Sequence, residues 1–560
     1  MTSVSLLKNQ DPFLGSNGGS NTHHTNDHHL NSKFSQPHAS QPQSSRQYTM
    51  LILLAVGIGF LSSLLGLIQP AIEGLDGSHN VMDGLFFYDL FKNDSINLLS
   101  YDGLTDYVME YKARHPALGF LYWPPLWPLV ESVFFSLFGV SLLSAQLSVL
   151  CFTFIFAVSY ANLINRIMSP ILTLASLLVI LMLPEVFYIT NTIMRDMPAM
   201  ACMMLSVWCY CRWLEQPDKL SRLWLTGFII IAGVYVKQTT FISGLAIGLH
   251  FLLNYAFLLR RKSVLGLLLT SIIALLPLIV FTLVVARVNL EQSIGTSTQS
   301  IMQGYEGLQR FSMQAWLYYP RALAQQSLLI AILGISGIIH GLIQVYRHKV
   351  SGVVQLLTLW SLIFYVCFSY FDNRADRFLT IWLPAIVPLA FWSCMHIKFK
   401  FFSQLIPRRY QTISLAITLL ILVSVQSWWR IVNDPFPRYS KIDTISQNII
   451  RLTANDNKAN FIGYIGSHHQ LFVQSLRRLQ PNHQGVAIKP LETQDDLAYF
   501  LKEKVLPEFK VEPLGFLIKT QSPLAKAAIQ KLKNDGYTNT THFAFNGPNS
   551  EQSMIFLQQQ

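Results

Sequence analysis

The sequence predicts an all-α polytopic transmembrane fold of about eleven or twelve helices, followed by a small soluble α/β domain at the C-terminal end. Three observations carry that expectation. Only 13% of the 560 residues are charged and 51% are hydrophobic, against about 25% charged in an ordinary soluble domain. Apolar runs of the roughly 17–25 residues that a lipid-crossing helix needs recur from residue 50 to residue 429. From residue 430 onward they give way to short alternating apolar stretches and amphipathic segments.

Residues 1–49 are rich in Ser, Asn, Gln and His and lack apolar periodicity, so a disordered tail is expected. Its pairs His23-His24 and His28-His29 have metal-binding chemistry but no fixed geometry around them. The tail has neither the basic start nor the immediate apolar core of a signal peptide, so residues 51–68 are expected to remain as a helix. Further spans are expected near 142–162, 170–189, 197–213, 239–258, 263–286, 327–345, 351–371, 378–395 and 410–428, with weaker candidates at 118–139 and 223–236. All six cysteines lie in or beside apolar segments, which argues for buried thiols over a disulfide framework. The stretches "NFIGYIG", "VAIKPL", "LGFLIKT" and "THFAFN" read as strands between helical segments, and no phosphate loop or dinucleotide fingerprint opens any helix there.

A net charge of +11 would suggest a nucleic-acid partner in a soluble protein. Here the basic residues sit in short connections between apolar runs, so they report orientation in a lipid bilayer and no nucleic acid. "RRK" at 260–262, "YRHK" at 346–349, the basic run 396–410 and the turn holding Arg212, Lys219 and Arg222 are expected on the cytoplasmic side. The segments 190–197, 236–240, 287–325 and 372–377, the loop 69–117 and the C-terminal domain then fall on the other side. Parity requires residues 118–162 to cross once, which a break at "LYWPPLWPL" would satisfy because its prolines interrupt backbone bonding.

That orientation gathers Asp83, Asp89, Asp196, Lys237, Arg374 and Arg377 at one membrane face. Ionisable groups near lipid are costly and are usually paired or functional. "DGLFFYDL", "YWPPLWPLVESVFFSLFG", "RDMPAMACMML", "GVYVKQT" and "DRFLTIWLPAIVPLAF", in that order, resemble the C-type glycosyltransferases over roughly residues 50–400. More narrowly they are similar to the protein O-mannosyltransferase and aminoarabinose transferase branch. The resemblance implies transfer of a sugar, with inversion, from a polyprenyl-phosphate carrier to a glycan, lipid or protein acceptor on the outer face. It puts the catalytic base at Asp83. The family often has two adjacent acids there, whereas Gly84 follows Asp83, leaving Asp89 as a candidate helper.

The chemistry asks for the same residue types independently. A carboxylate must take the acceptor's proton, a part for Asp83, with Asp196 as a second catalytic candidate. Lys237 and Arg377 are candidates to stabilise the leaving phosphate. No cofactor is demanded, although a divalent metal held by Asp83 and Asp89 stays open. Blander readings exist for each residue. Asp83 also fits a helix cap, Asp196 a cap with a local ion pair to Arg195, Lys237 a snorkelling side chain, and Arg377 or Arg374 an interfacial anchor. His115 reads as a loop residue, and Tyr305, Tyr318, Tyr319 and Arg321 lie in an outer loop with no specific motif. Sequons at Asn93 and Asn539 matter only in a secretory pathway. The rival functions are a secondary transporter or lipid-carrier flippase, and a silent scaffold whose outer domain binds a partner. The transporter would call for internal repeats, and none is evident.

Overall fold

The computed structural model describes residues 45–70, 72, 74–92, 101–119, 123–260, 262–292, 312–347, 351–370, 374–396, 408–433, 441–452, 460–465, 469–481, 486–491, 515–520, 523–546 and 551–558. The histidine pairs of the N-terminal tail, Asn93 and Tyr305 lie outside these residues.

In chain order the helices are α1 (Ser45–Ser62), α2 (Gly74–Lys92), α3 (Tyr101–Arg114), α4 (Leu126–Phe138), α5 (Leu142–Ile164), α6 (Pro170–Met182), α7 (Pro184–Asn191), α8 (Asp196–Leu214), α9 (Leu220–Val236) and α10 (Phe241–Tyr255). They continue with α11 (Lys262–Gln292), α12 (Met313–Gln326), α13 (Leu328–Tyr346), α14 (Gly352–Tyr370), α15 (Leu379–His396) and α16 (Arg408–Asn433). Among the described residues eight helical segments are long and apolar enough to cross a membrane, and the pair α6–α7, bent by 74°, adds a ninth. The expected eleven or twelve exceeds this count: α4 and α9 are shorter apolar helices, and the 19-residue α8 is not among the eight. α4 has 13 residues, short of the roughly 20 that span a bilayer, so α5, with 23, supplies the crossing in residues 118–162.

Local sequence explains several boundaries. Ser141 caps α5, its hydroxyl accepting from the Ser144 N–H at 3.0 Å. Pro170 and Pro184 open α6 and α7 at positions where the missing N–H is not needed, and the second also forces the bend. Gly334, Gly337 and Gly341 line the side of α13 that meets Ile386 and Leu389 of α15 and Thr358 of α14. A side chain at Gly337 would meet the Leu389 backbone, which cannot yield, so the small-residue spacing sets the approach of these helices.

Beyond the bundle lie α17 (Ile442–Leu452), α18 (His469–Leu479) and α19 (Pro523–Asn534), with strands β1 (Asn460–Tyr464), β2 (Ala487–Pro490), β3 (Gly515–Lys519), β4 (Asn539–Asn546) and β5 (Glu551–Gln558). Asn539 is the first residue of β4. The strands form one sheet in the order β2-β1-β3-β5-β4, parallel across β2-β1-β3 and antiparallel from β3 through β5 to β4. Period-two alternation divides its two faces. Phe516, Ile518, Ile555 and Leu557 join Ala525, Ala528 and Leu532 of α19 in one core. Leu517 and Phe556 join a second core that also takes Leu471, Phe472 and Leu476 of α18, Ile445 of α17, Tyr111 of α3, and Met82, Leu85 and Phe86 of α2. Helix α2 therefore belongs to both halves of the molecule: it packs on α4 of the bundle and on α18 of the outer domain.

Candidate active site

Four segments of the chain bring charged side chains to one place. α2 carries Asp76, Asn80 and Asp83 at spacings of four and three residues, which puts them on one helix face. Arg195 and Asp196 stand at the start of α8, where a carboxylate is favoured by the helix dipole. Lys237 ends α9 in extended backbone, φ −156°, before a single 3₁₀ turn leads into α10. Arg377 lies in another 3₁₀ turn, Asp376–Phe378, ahead of α15.

Together they bound a cavity of about 210 Å³, counting its open mouth, lined by Asp76, Asn80, Trp123, Met194, Arg195, Asp196, Lys237 and Arg377. Three cation–carboxylate pairs organise it, each joining two separate elements. Lys237 Nζ donates to Asp196 Oδ1 at 2.5 Å, with both side chains almost wholly buried. Arg195 Nη2 lies 3.3 Å from Asp83 Oδ2, and Arg195 Nε donates to Asn80 Oδ1 at 2.7 Å. Asn80 in turn donates to the Ile193 carbonyl at 3.1 Å, and the Arg195 guanidinium stands 5.1 Å from the Trp123 ring centre. Arg377 pairs with Asp76, and this is the open pair, the side chains retaining 29% and 34% exposure.

Burial alone would raise the Asp76 carboxyl, but Arg377 and, more weakly, Lys237 and His79 hold it below the usual carboxylate range. His79, beside Asn80, is pushed down by burial even though its Nδ1 sits 2.7 Å from the Ala117 carbonyl.

Three of the expected residues, Asp196, Lys237 and Arg377, meet in the cavity lining. Asp83 does not line it. It is fully buried, its Oδ1 accepting the Gly119 N–H at 2.7 Å and its Oδ2 facing Arg195. Asp89 lies on the opposite face of α2 and pairs with Arg477 of α18, so it is not a neighbour of Asp83. Asp83 and Asp89 thus each face an arginine. In place of the local Arg195–Asp196 pair of the blander reading, the structure has two longer-range pairs, Arg195 with Asp83 and Asp196 with Lys237. Gly84 now has a reason: a Cβ there would come within 2.9 Å of the Glu131 Cβ, so its absence admits α4 against α2.

Arg374 is buried and donates to the Ser369 carbonyl at 3.1 Å, tying a turn together. Residues 313–326 are a helix, not an open loop; within it Tyr318 donates to Asp376 at 2.9 Å and Tyr319 packs on Phe364. The His115 ring packs 4.7 Å from that of Tyr111. Sequence reasoning missed Asp76, Asn80, Trp123 and Arg195. The available signal was the seven-residue step from Asp76 to Asp83, two helical turns along one face.

Residues 123–283 match the family model of dolichyl-phosphate-mannose-protein mannosyltransferases, which covers two of the cavity's charged elements, Arg195-Asp196 and Lys237. The fold is shared with solved membrane proteins. ArnT from Cupriavidus metallidurans bound to undecaprenyl phosphate is 13% identical, covers 92% of this chain and 98% of its own, and superposes with a TM-score of 0.55. The family match covers under a third of the chain, and the likeness to ArnT shows a shared fold. The apo state of the same ArnT gives 0.53 at 13% identity, over 90% and 97% of the two chains. The oligosaccharyltransferase of Archaeoglobus fulgidus in its apo form gives 0.54 at 10% identity, over 90% of this chain and 75% of its own length. No curated protein matches the chain by sequence. The protein is a multi-pass integral membrane protein.

Proposed function

We propose that this protein is a membrane glycosyltransferase that moves a sugar from a polyprenyl-phosphate donor to a hydroxyl acceptor on the non-cytoplasmic face, inverting the anomeric carbon. The observation that carries the reading is the cavity: three cations, each already neutralised by a carboxylate, with one pair open to solvent. Such a site accepts an anion by exchange, because a donor phosphate can take Arg377 from Asp76 without leaving a buried charge alone. The description of the ArnT neighbour as bound to undecaprenyl phosphate, a polyprenyl phosphate, supports the carrier class. Sidedness is supported by helix direction, since α10, α13 and α15 run away from the cavity end toward the basic connections near 260, 347 and 396.

In this reading the base is Asp76, and Asp83 acts through Arg195, which it holds against Asn80 and the cavity wall. The Asp76 carboxylate takes the acceptor hydroxyl's proton as the oxygen attacks the anomeric carbon. The bond from that carbon to the phosphate oxygen breaks, and its electron pair leaves with the phosphate, where Lys237 and Arg377 meet the charge. One displacement inverts the centre. When the phosphate draws Arg377 away, the strongest influence lowering the Asp76 carboxyl is removed and burial raises its basicity. Asp196 holds and aims Lys237.

The test uses purified protein in lipid with a panel of radiolabelled polyprenyl-phosphate sugars, following label released from the carrier in wild type, Asp76→Asn and Asp83→Asn. Transfer lost in Asp76→Asn with carrier binding intact supports the assignment. Labelled lipid that only moves between leaflets, equally in all three, would replace it with lipid transport.

A further inference from the structure

The outer domain grips the same helix that carries the proposed base. α2 presents Asp76 and Asn80 to the cavity, while Met82, Leu85 and Asp89 face the core shared with α18. From Asp76 to Asp89 the helix rises about 20 Å, so an anchor at one end sets height and rotation at the other.

That anchor is a sealed polar lock. Arg477 Nε donates to Asp89 Oδ2 at 2.8 Å and its Nη2 engages Oδ1, while the Tyr111 hydroxyl donates to Oδ2 at 2.7 Å. Burial works against the Arg477 charge, yet its bonds to Asp89 hold its pKa above the usual arginine value. Arg477 Nη1 donates to the Gln480 carbonyl at 3.0 Å, and the Gln480 side chain donates to the Val486 carbonyl at 2.9 Å, just before β2. A continuous polar path therefore runs from an edge strand of the outer sheet to the catalytic helix.

We infer that the outer domain is a positioning module for glycosyl transfer, with Arg477 the positioning residue that holds α2, through Asp89, in the rotation and height that place Asp76. This rests on the reading of Asp76 as base. Apolar packing alone would let α2 slide or roll, because methyl groups and rings have no direction. A guanidinium fork on both oxygens of one carboxylate does not permit that.

The experiment uses the full chain reconstituted in lipid, with Arg477→Lys, Tyr111→Phe, and the exchange of Asp89→Arg with Arg477→Asp. Lysine keeps the charge and removes the fork. Expected is a fall in kcat of about 10- to 100-fold for Arg477→Lys, the scale of an ångström's misplacement, with binding of the bare polyprenyl phosphate within about three-fold of wild type. The paired exchange should recover part of the lost kcat. Tyr111→Phe keeps the packing and should lower kcat by a few-fold if Arg477→Lys proves too unstable to assay. Unchanged kcat in a folded Arg477→Lys and in Tyr111→Phe would overturn the inference. So would a fall in kcat matched by an equal loss of carrier binding or of folded protein. Asp76→Asn assayed alongside separates the two claims: if it still turns over, the base assignment fails, whereas the Arg477 variants still report whether the outer domain sets kcat.

Discussion

Helix α2 makes three carboxylate–arginine pairs with distant parts of the chain, and the two at its ends, Asp76 with Arg377 and Asp89 with Arg477, differ in access. The first keeps about a third of its surface at the mouth of a cavity, while the second is sealed among Tyr107, Tyr111 and Phe86. An open pair can be exchanged for a ligand at little cost, because water and the ligand re-solvate both partners. A sealed pair cannot, since separating it strands a buried charge. In the proposed reading the same chemistry serves substrate exchange at one end of the helix and mechanical registration at the other.

The largest expected effect is at the open end. Asp76→Asn should lower transfer by about 100- to 10,000-fold, the worth of a general base, while leaving the protein folded and the carrier bound; single-turnover label release measures it. Lys237→Gln follows, with kcat expected to fall about 100- to 1,000-fold if the lysine meets charge only as the phosphate leaves. A rise in donor KM with unchanged kcat would show that it serves ground-state binding instead.

Asp83→Asn should behave as a change to a sealed pair: a stability loss of about 3–5 kcal/mol in denaturant or thermal unfolding, since Arg195 is left buried without its partner. A fully stable but inactive Asp83→Asn would instead return the base to Asp83. Acid sensitivity sharpens the contrast further. Because Arg377 holds the Asp76 carboxyl low, the stabilisation from that pair is complete above the ordinary carboxylate pKa and disappears as pH falls through the lowered one. Arg377→Gln should therefore move the acid limb of the kcat/KM profile to higher pH. No movement would separate Asp76 from the reaction. Smallest of all, Arg166→Ala should change stability by no more than about 1 kcal/mol, because its partner Glu215 is 44% exposed.

Much of this was legible in the sequence for physical reasons. Lipid demands long apolar runs, and charge placed at their ends stands out, so Asp196, Lys237 and Arg377 could be assigned to one membrane face from orientation alone. The base was harder. Asp76 and Asp83 share a helix face, and which of them meets solvent is decided by Arg195, 112 residues from Asp83 in the chain. Nothing local distinguishes the two. Asp89 was visible as an acid near the site, but its partner Arg477 lies 388 residues away in an amphipathic run with no recognisable motif. Local signals also named Arg195 as the partner of its neighbour Asp196, the shortest connection in sequence but not in space.

The most direct measurement of the central claim compares label release from a polyprenyl-phosphate sugar by wild type, Asp76→Asn and Asp83→Asn, with bare-carrier binding recorded for each. The account predicts that Asp76→Asn binds carrier normally and releases no label, whereas Asp83→Asn loses activity together with stability. Wild-type release by Asp76→Asn would contradict it.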